Sequence, residues 1–203
     1  MNKPLIEACV DSYQSCVNAT KGGADRLELC SHLIIGGCTP TIPVFKQVQR
    51  DCKGVKINVL IRPRFGDFLY TEDEIEAMCE DIATFRDLGA NGVVIGALTP
   101  DGDLDIEVMK RMMACAGDMD VTLHRAFDMT RDPFKTLEEA IELGCKTILT
   151  SGQQSNVVEG KDLLKEVYEK AALHRRYGAY HSVISSLLLL IRDVRHRYDS
   201  RSR

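Results

Sequence analysis

The sequence predicts an α/β fold of the TIM type, a (β/α) barrel that is incomplete, with about six of the usual eight βα units. Three observations carry this reading. Short apolar runs alternate with amphipathic stretches, the pattern of right-handed parallel βαβ units. Five of those runs end abruptly in charged or small polar residues: Glu28-Leu-Cys30, Arg62 to Tyr70, Gly96 to Pro100, His124 to Asp128 and Thr150 to Gly152. In a parallel barrel the carboxyl ends of the strands gather at one mouth, where ligands are held. The third observation is an internal repeat, Gly23-Ala-Asp-Arg-Leu-Glu-Leu, Gly89-Ala-Asn-Gly-Val-Val-Ile and Gly144-Cys-Lys-Thr-Ile-Leu-Thr. Each copy has a glycine suited to the left-handed C′ position of a helix, then a buried strand.

Taken in order, residues 5–10 form a first strand, and Asp11-Ser12 opens a helix over 12–21. A strand over 26–30 precedes the Gly36-Gly37 turn and a helix over 41–50. That glycine pair before a helix suits a phosphate cradle, though an ordinary turn has the same composition. The strand at 55–61 leads to a helix at 72–88, where Thr71 and Glu74 stand in capping-box spacing. Then come a strand at 92–98, a helix at 104–115 and a strand at 120–126. Asp132-Pro133 starts a helix over 133–143, and the last pair is a strand at 146–151 with a helix at 157–170. Met78, Met109, Met112 and Met113 fall on these helices as core filler.

Residues 1–170 therefore read as the incomplete barrel and 171–203 as a divergent basic tail. The tail holds seven arginines, no lysine and two aspartates, a net +5, against −9 for the preceding 170 residues. An apolar stretch over 185–191 is expected as a short helix. The tail reads as replacing the last two βα units, which would leave strands one and six as open edges and make the fold prone to aggregation.

The 203 residues, 44% of them apolar, suffice for one domain with a sizeable core. A net charge of −4 argues against nucleic acid as a partner. No run is long and apolar enough for a membrane span, and no apolar leader precedes Cys9. A cytoplasmic location is expected, with the nucleus open to so small a chain. Eight cysteines without a Cys-x-x-Cys pair read as reduced thiols rather than a disulfide framework.

Side chains alternate along a strand, so Glu7 and Cys9 share one face, as do Arg26, Glu28 and Cys30. Were the first two strands neighbours, Cys9 and Cys30 would end at similar height. Two thiolates so placed suit a soft monovalent ion such as Cu(I); the plain alternative is that both are small core residues. Glu7, Arg26, Glu28 and His124 interrupt apolar runs, where an unpaired charge is costly. One reading is an enzyme site in which Arg62, Arg64 and Arg125 clamp a small anionic metabolite and Glu7 or His124 exchanges a proton. The other is a salt-bridge network plugging the barrel mouth. Asp128 and Asp67 would orient those arginines or cap helices.

The segments Glu7-Ala-Cys-Val-Asp-Ser12, Gly22 to Cys30, Gly36-Gly-Cys-Thr-Pro40, Ile61-Arg-Pro-Arg64, Gly66 to Tyr70, His124 to Asp128 and Leu149 to Gly152 together resemble the CutC family of copper homeostasis proteins. The resemblance runs from about residue 4 to 170 and fails beyond, where the family continues with a glycine-rich strand end. It implies a TIM-type barrel, a cytoplasmic location and self-association into a homo-oligomer. It also implies Cu(I) as the bound ion, with Cys9 and Cys30 as its ligands, and a role in buffering or trafficking copper. The enzyme on a small anionic metabolite, using Glu7, Arg62 and His124 with Arg26, Glu28, Arg64 and Arg125 as binding residues, stands as the alternative.

Overall fold

Among the described residues, seven short strands, all parallel and hydrogen-bonded in chain order, make one sheet. They are β1 (Glu7–Val10), β2 (Arg26–Leu29), β3 (Lys56–Leu60), β4 (Gly92–Ile95), β5 (Asp120–Leu123), β6 (Thr147–Leu149) and β7 (Val183–Ser185). Helices α1 (Tyr13–Lys21), α2 (Ile42–Asp51), α3 (Glu72–Asp87), α4 (Ile106–Ala116), α5 (Pro133–Leu143) and α6 (Lys161–Arg176) fill the crossovers. The computed structural model describes residues 5–176 and 183–185. The architecture is an incomplete TIM-like barrel, six βα units and a further strand.

Local chemistry sets the element boundaries. Ser12 caps α1 by accepting from the Ser15 amide, and Asp132 caps α5 by accepting from the Phe134 and Lys135 amides, with Pro133 in the first turn. Thr71 and Glu74 close a full capping box at the start of α3. Such a cap contributes about 1 kcal/mol. The repeated glycines Gly23, Gly89 and Gly144 have φ of 88°, 84° and 91°. That left-handed conformation is nearly free for glycine and turns each helix into β2, β4 or β6.

The two faces of the sheet do different work. Leu27, Leu29, Ile57, Val59, Ile61, Val93, Ile95, Val121, Leu123 and Ile148 face the helices and form the main core with Phe45, Met78, Ile82, Phe85, Met109 and Met112. Each large apolar side chain so buried contributes about 1.5–3 kcal/mol. Phe45 of α2 meets Phe85 of α3 edge to face, ring centroids 5.3 Å apart. The inner face carries a small apolar cluster, Cys9, Cys30, Leu60 and Val94, among polar side chains. Inner-face residues of β1, β2 and β6 and residues just past β3 and β5 line one cavity. They meet there because the sheet curls.

Two expectations need correction. β6 is not an open edge, because Val183–Ser185 pairs with Thr147–Leu149 in parallel register. Residues just past the helix satisfy the backbone of β6, so β1 and β7 are the outer strands among the described residues. The last helix runs through Arg176, six residues into the segment read as tail. Apart from Ser185, which lies in β7, the short helix expected over 185–191 falls outside the described residues.

Candidate functional site at the barrel mouth

The inner face is layered by strand phase. At the lower level Glu7 lies opposite Arg26 in the β1–β2 register. Their side chains form a two-pronged ion pair, with both N–O distances 2.7 Å, and both are largely buried. The geometry satisfies both ions at a depth where either one alone would be costly. Neither residue lines the mouth cavity. Of the two readings open in the sequence, a ligand site or a salt-bridge network, these two side chains take the second, bound to each other one level below the cavity.

One step up the strands, Cys9 lies opposite Glu28 in register. Cys9 Sγ is 4.0 Å from Cys30 Sγ and donates to Glu28 Oε1 at 3.6 Å, while Cys30 Sγ reaches the Val10 carbonyl at 3.4 Å. Both cysteines are free thiols, Cys9 8% exposed and Cys30 1%. The hydrogen bond to Cys30, together with burial and the neighbouring Glu28 carboxyl, pushes the Cys9 thiol up. Burial, helped by the charge of Glu7, pushes Glu28 up to about 8, so it is protonated at neutral pH.

The pair suits a single soft ion. Two sulfur–metal bonds of about 2.3 Å span at most about 4.6 Å, so a 4.0 Å gap admits one ion between the sulfurs. Two thiolates favour Cu(I) over a metal that needs a full tetrahedral set. Among the described residues no cluster of three or more His, Cys, Asp or Glu side chains is arranged to hold a metal ion. Both thiols must shed protons to bind one.

The mouth cavity, about 190 Å³, is bounded by Cys9, Glu28, Arg62, His124, Arg125 and the apolar Leu33, Leu60, Phe68 and Leu149. Arg62 continues the inner-face phase of Asn58 and Leu60. It donates to the carbonyls of Gly37 at 3.0 Å and Gly66 at 2.7 Å, and its guanidinium lies 5.1 Å from the Phe68 ring centroid. A side chain on Gly36 would press on the Arg62 guanidinium, and one on Gly37 would strike Leu60. The glycine pair thus serves this close packing. His124 is fully buried, its ring 4.7 Å from that of Phe68. Its Nδ1 accepts from the Ala126 amide at 3.1 Å, which fixes Nδ1 as the unprotonated nitrogen. Burial and then the Arg62 charge pull His124 down to about 3, so the ring is neutral.

Arg125 lies at the rim, bound to Asp128, the Ser151 hydroxyl and the Gln154 carbonyl. Asp128 also accepts from the Thr150 hydroxyl and the Ser151 and Gln153 amides. Burial opposes its ionisation, but the bonds from Thr150 and Arg125 hold it below the usual carboxylate range. It joins the loop after β5 to the loop after β6. Arg64 does not enter the cavity. Pro63 and the turn break the strand phase, and Glu74, Asp67 and the Leu69 carbonyl take its donors. Of the residues singled out in the sequence, Cys9, Glu28, Arg62, His124 and Arg125 meet at the cavity, with Cys30 directly behind Cys9. Phe68, stacked between Arg62 and His124, was not singled out. The phase of β3 and β6 marks Leu60 and Leu149 as inner-face residues, but nothing in the sequence marks Phe68.

A sequence model described as the CutC family matches residues 4–177. A CutC family protein of Parabacteroides distasonis is 50% identical over 169 residues, 83% of this chain and 70% of that protein. The human protein named copper homeostasis protein cutC homolog is 48% identical over 167 residues, 82% of this chain and 61% of the relative. The crystal structure of a CutC protein from Streptococcus agalactiae superposes with a TM-score of 0.80 at 26% identity, covering 91% of this chain and 99% of that one. An aldolase structure superposes with a TM-score of 0.59 at 14% identity, covering 90% of each chain, a likeness of fold alone.

Proposed function

The chain belongs to the CutC family, and we propose that it acts in copper homeostasis by holding one Cu(I) ion between Cys9 and Cys30. The observation that carries this is the 4.0 Å separation of two free sulfurs on neighbouring strands, one of them on the wall of the mouth cavity. The name of the human relative agrees with it. Copper is cargo in this reading: the ion enters from the cavity, displaces two protons and leaves to a partner, as buffering or trafficking in the cytoplasm requires. Self-association into a homo-oligomer belongs to the same proposal.

The test is an anaerobic Cu(I) competition titration under reducing conditions, comparing the native chain with Cys9→Ser/Cys30→Ser. Eight thiols take up copper weakly in any case, so the quantity to read is one tight equivalent. Its loss in a variant that keeps its circular dichroism supports the site. Equal tight binding by both proteins rules the pair out as the ligands.

A further inference from the structure

A buried cation needs an anion or a set of strong acceptors, because burial in a low-dielectric interior penalises an uncompensated charge. Arg62 is 6% exposed, yet its neighbours are neutral: two backbone carbonyls, the face of Phe68 and the Tyr70 hydroxyl. Among the described residues no carboxylate lies within ion-pair distance of it, and its Nε–H makes no well-formed hydrogen bond. His124, 4% exposed, lines the same cavity. With Nδ1 taken by the Ala126 amide, the neutral ring carries its proton on Nε2, and that nitrogen, itself shielded from solvent, too lacks a partner among the described residues. The remaining charges near the cavity are paired or absent. Arg125 is bound to Asp128, and Glu28 hydrogen-bonds Cys9. Leu33, Leu60, Phe68 and Leu149 supply apolar wall.

One buried positive charge, one neutral donor and an apolar wall describe the complement of a specific chemical class. We propose that the mouth cavity binds a small monocarboxylate, its carboxylate held by Arg62 and His124 Nε2–H and its short carbon chain against Phe68, Leu60 and Leu149. A phosphate dianion fits less well, since one guanidinium is the sole unpaired cation lining the cavity among the described residues. The cavity volume of about 190 Å³ suits a body of a few carbon atoms. The carboxylate is placed on Arg62 and His124 rather than on the thiols, although Cys9 lines the same cavity, and the assignment does not rest on copper binding.

The probe is sodium propionate, added to the metal-free full chain in reductant at constant ionic strength set with chloride. Propionamide, the neutral isostere, and inorganic phosphate are the controls. Propionate is expected to raise the unfolding midpoint progressively with concentration, as a ligand of the native state must. It is also expected to shift the His124 ring N–H resonance, assigned by its absence in His124→Asn. Arg62→Gln should abolish both effects, while Cys30→Ser, at a thiol that does not line the cavity, should keep them. If Arg62→Gln does not fold, the resonance shift in the native chain decides. Equal stabilisation by propionamide, an unmoved His124 signal, or equal binding of phosphate overturns the assignment. Loss of propionate binding in Cys30→Ser also overturns it, by making the thiol pair part of what holds the anion. None of these outcomes bears on the copper titration.

Discussion

His124 offers a direct measure of how dry the barrel mouth is. Its ring is fully buried and lies in the field of Arg62, and its pKa is held down to about 3 from the ordinary 6.5. In the unfolded chain the imidazole takes up a proton below pH 6.5; in the folded chain it stays neutral until about pH 3. The unfolded state therefore binds more protons across this window, and stability falls as pH falls. Each pH unit below 6.5 costs about 1.4 kcal/mol, so at pH 4 the loss due to this one residue is about 3 kcal/mol. His124→Asn removes the titration and keeps an acceptor for the Ala126 amide, because Asn Oδ1 stands close to where Nδ1 stood. The assay is urea denaturation of both proteins at half-unit steps from pH 7 to pH 4. Carboxylates and the other four histidines titrate in both proteins and cancel in the difference. The variant loses packing against Phe68 and starts less stable at pH 7. The gap should then close by about 3 kcal/mol toward pH 4. Parallel curves would mean that His124 titrates like a solvated histidine, and the neutral-donor argument would fail with it.

Two further substitutions probe the layers beneath. Glu7→Gln leaves Arg26 as a buried cation without its partner and should cost about 3–5 kcal/mol, lowering the unfolding midpoint by roughly 6–20 °C. Glu7→Leu/Arg26→Met should recover most of that in calorimetry, and a neutral single change would show the pair to be solvated. Gly92→Ala sets a Cβ 2.5 Å from the Asp120 carbonyl oxygen and 2.6 Å from Asn58 Oδ1, and should cost about 1–3 kcal/mol by overpacking. Adding Asn58→Ala should relieve only the second clash, so a double-mutant cycle in which the pair is fully rescued would contradict the described contact with the Asp120 carbonyl.

Much of this was legible in the sequence because a strand has period two. Phase places Cys9 on the inner face of β1 and Glu28 and Cys30 on that of the second strand, but the register sets Cys9 level with Glu28 and Cys30 two residues further on, where its sulfur still comes within 4.0 Å of Cys9 Sγ. The same phase carries Arg62 inward after Asn58 and Leu60. Arg64 is two residues further on and looks equivalent as a string, but Pro63 ends the strand, and α3 supplies Glu74 to claim the guanidinium. Glu7 and Arg26 pair with each other below the cavity for a readable reason, since each sits two positions before Cys9 or Glu28 and so one layer lower. Phe68 was invisible because its place depends on a loop fold, and loops have no period. β7 was hidden by the longer apolar run that follows it, whereas three residues suffice to pair with β6.

The charge state of the mouth follows from which neighbours the chain gives its acid and its base. Glu28 and His124 line the same cavity, and an ion pair between them is the first arrangement a chemist would draw. The structure prevents it twice. Glu28 lies beside the carboxylate of Glu7 and His124 beside the guanidinium of Arg62, so burial and a like charge push each toward its neutral form. Arg26, which could have relieved Glu28, already satisfies Glu7. With Glu28 neutral, no ionised carboxylate lining the cavity competes with an incoming anion for Arg62. Glu7, although absent from the cavity wall, thus helps set the charge of what the cavity can accept, by keeping Glu28 protonated.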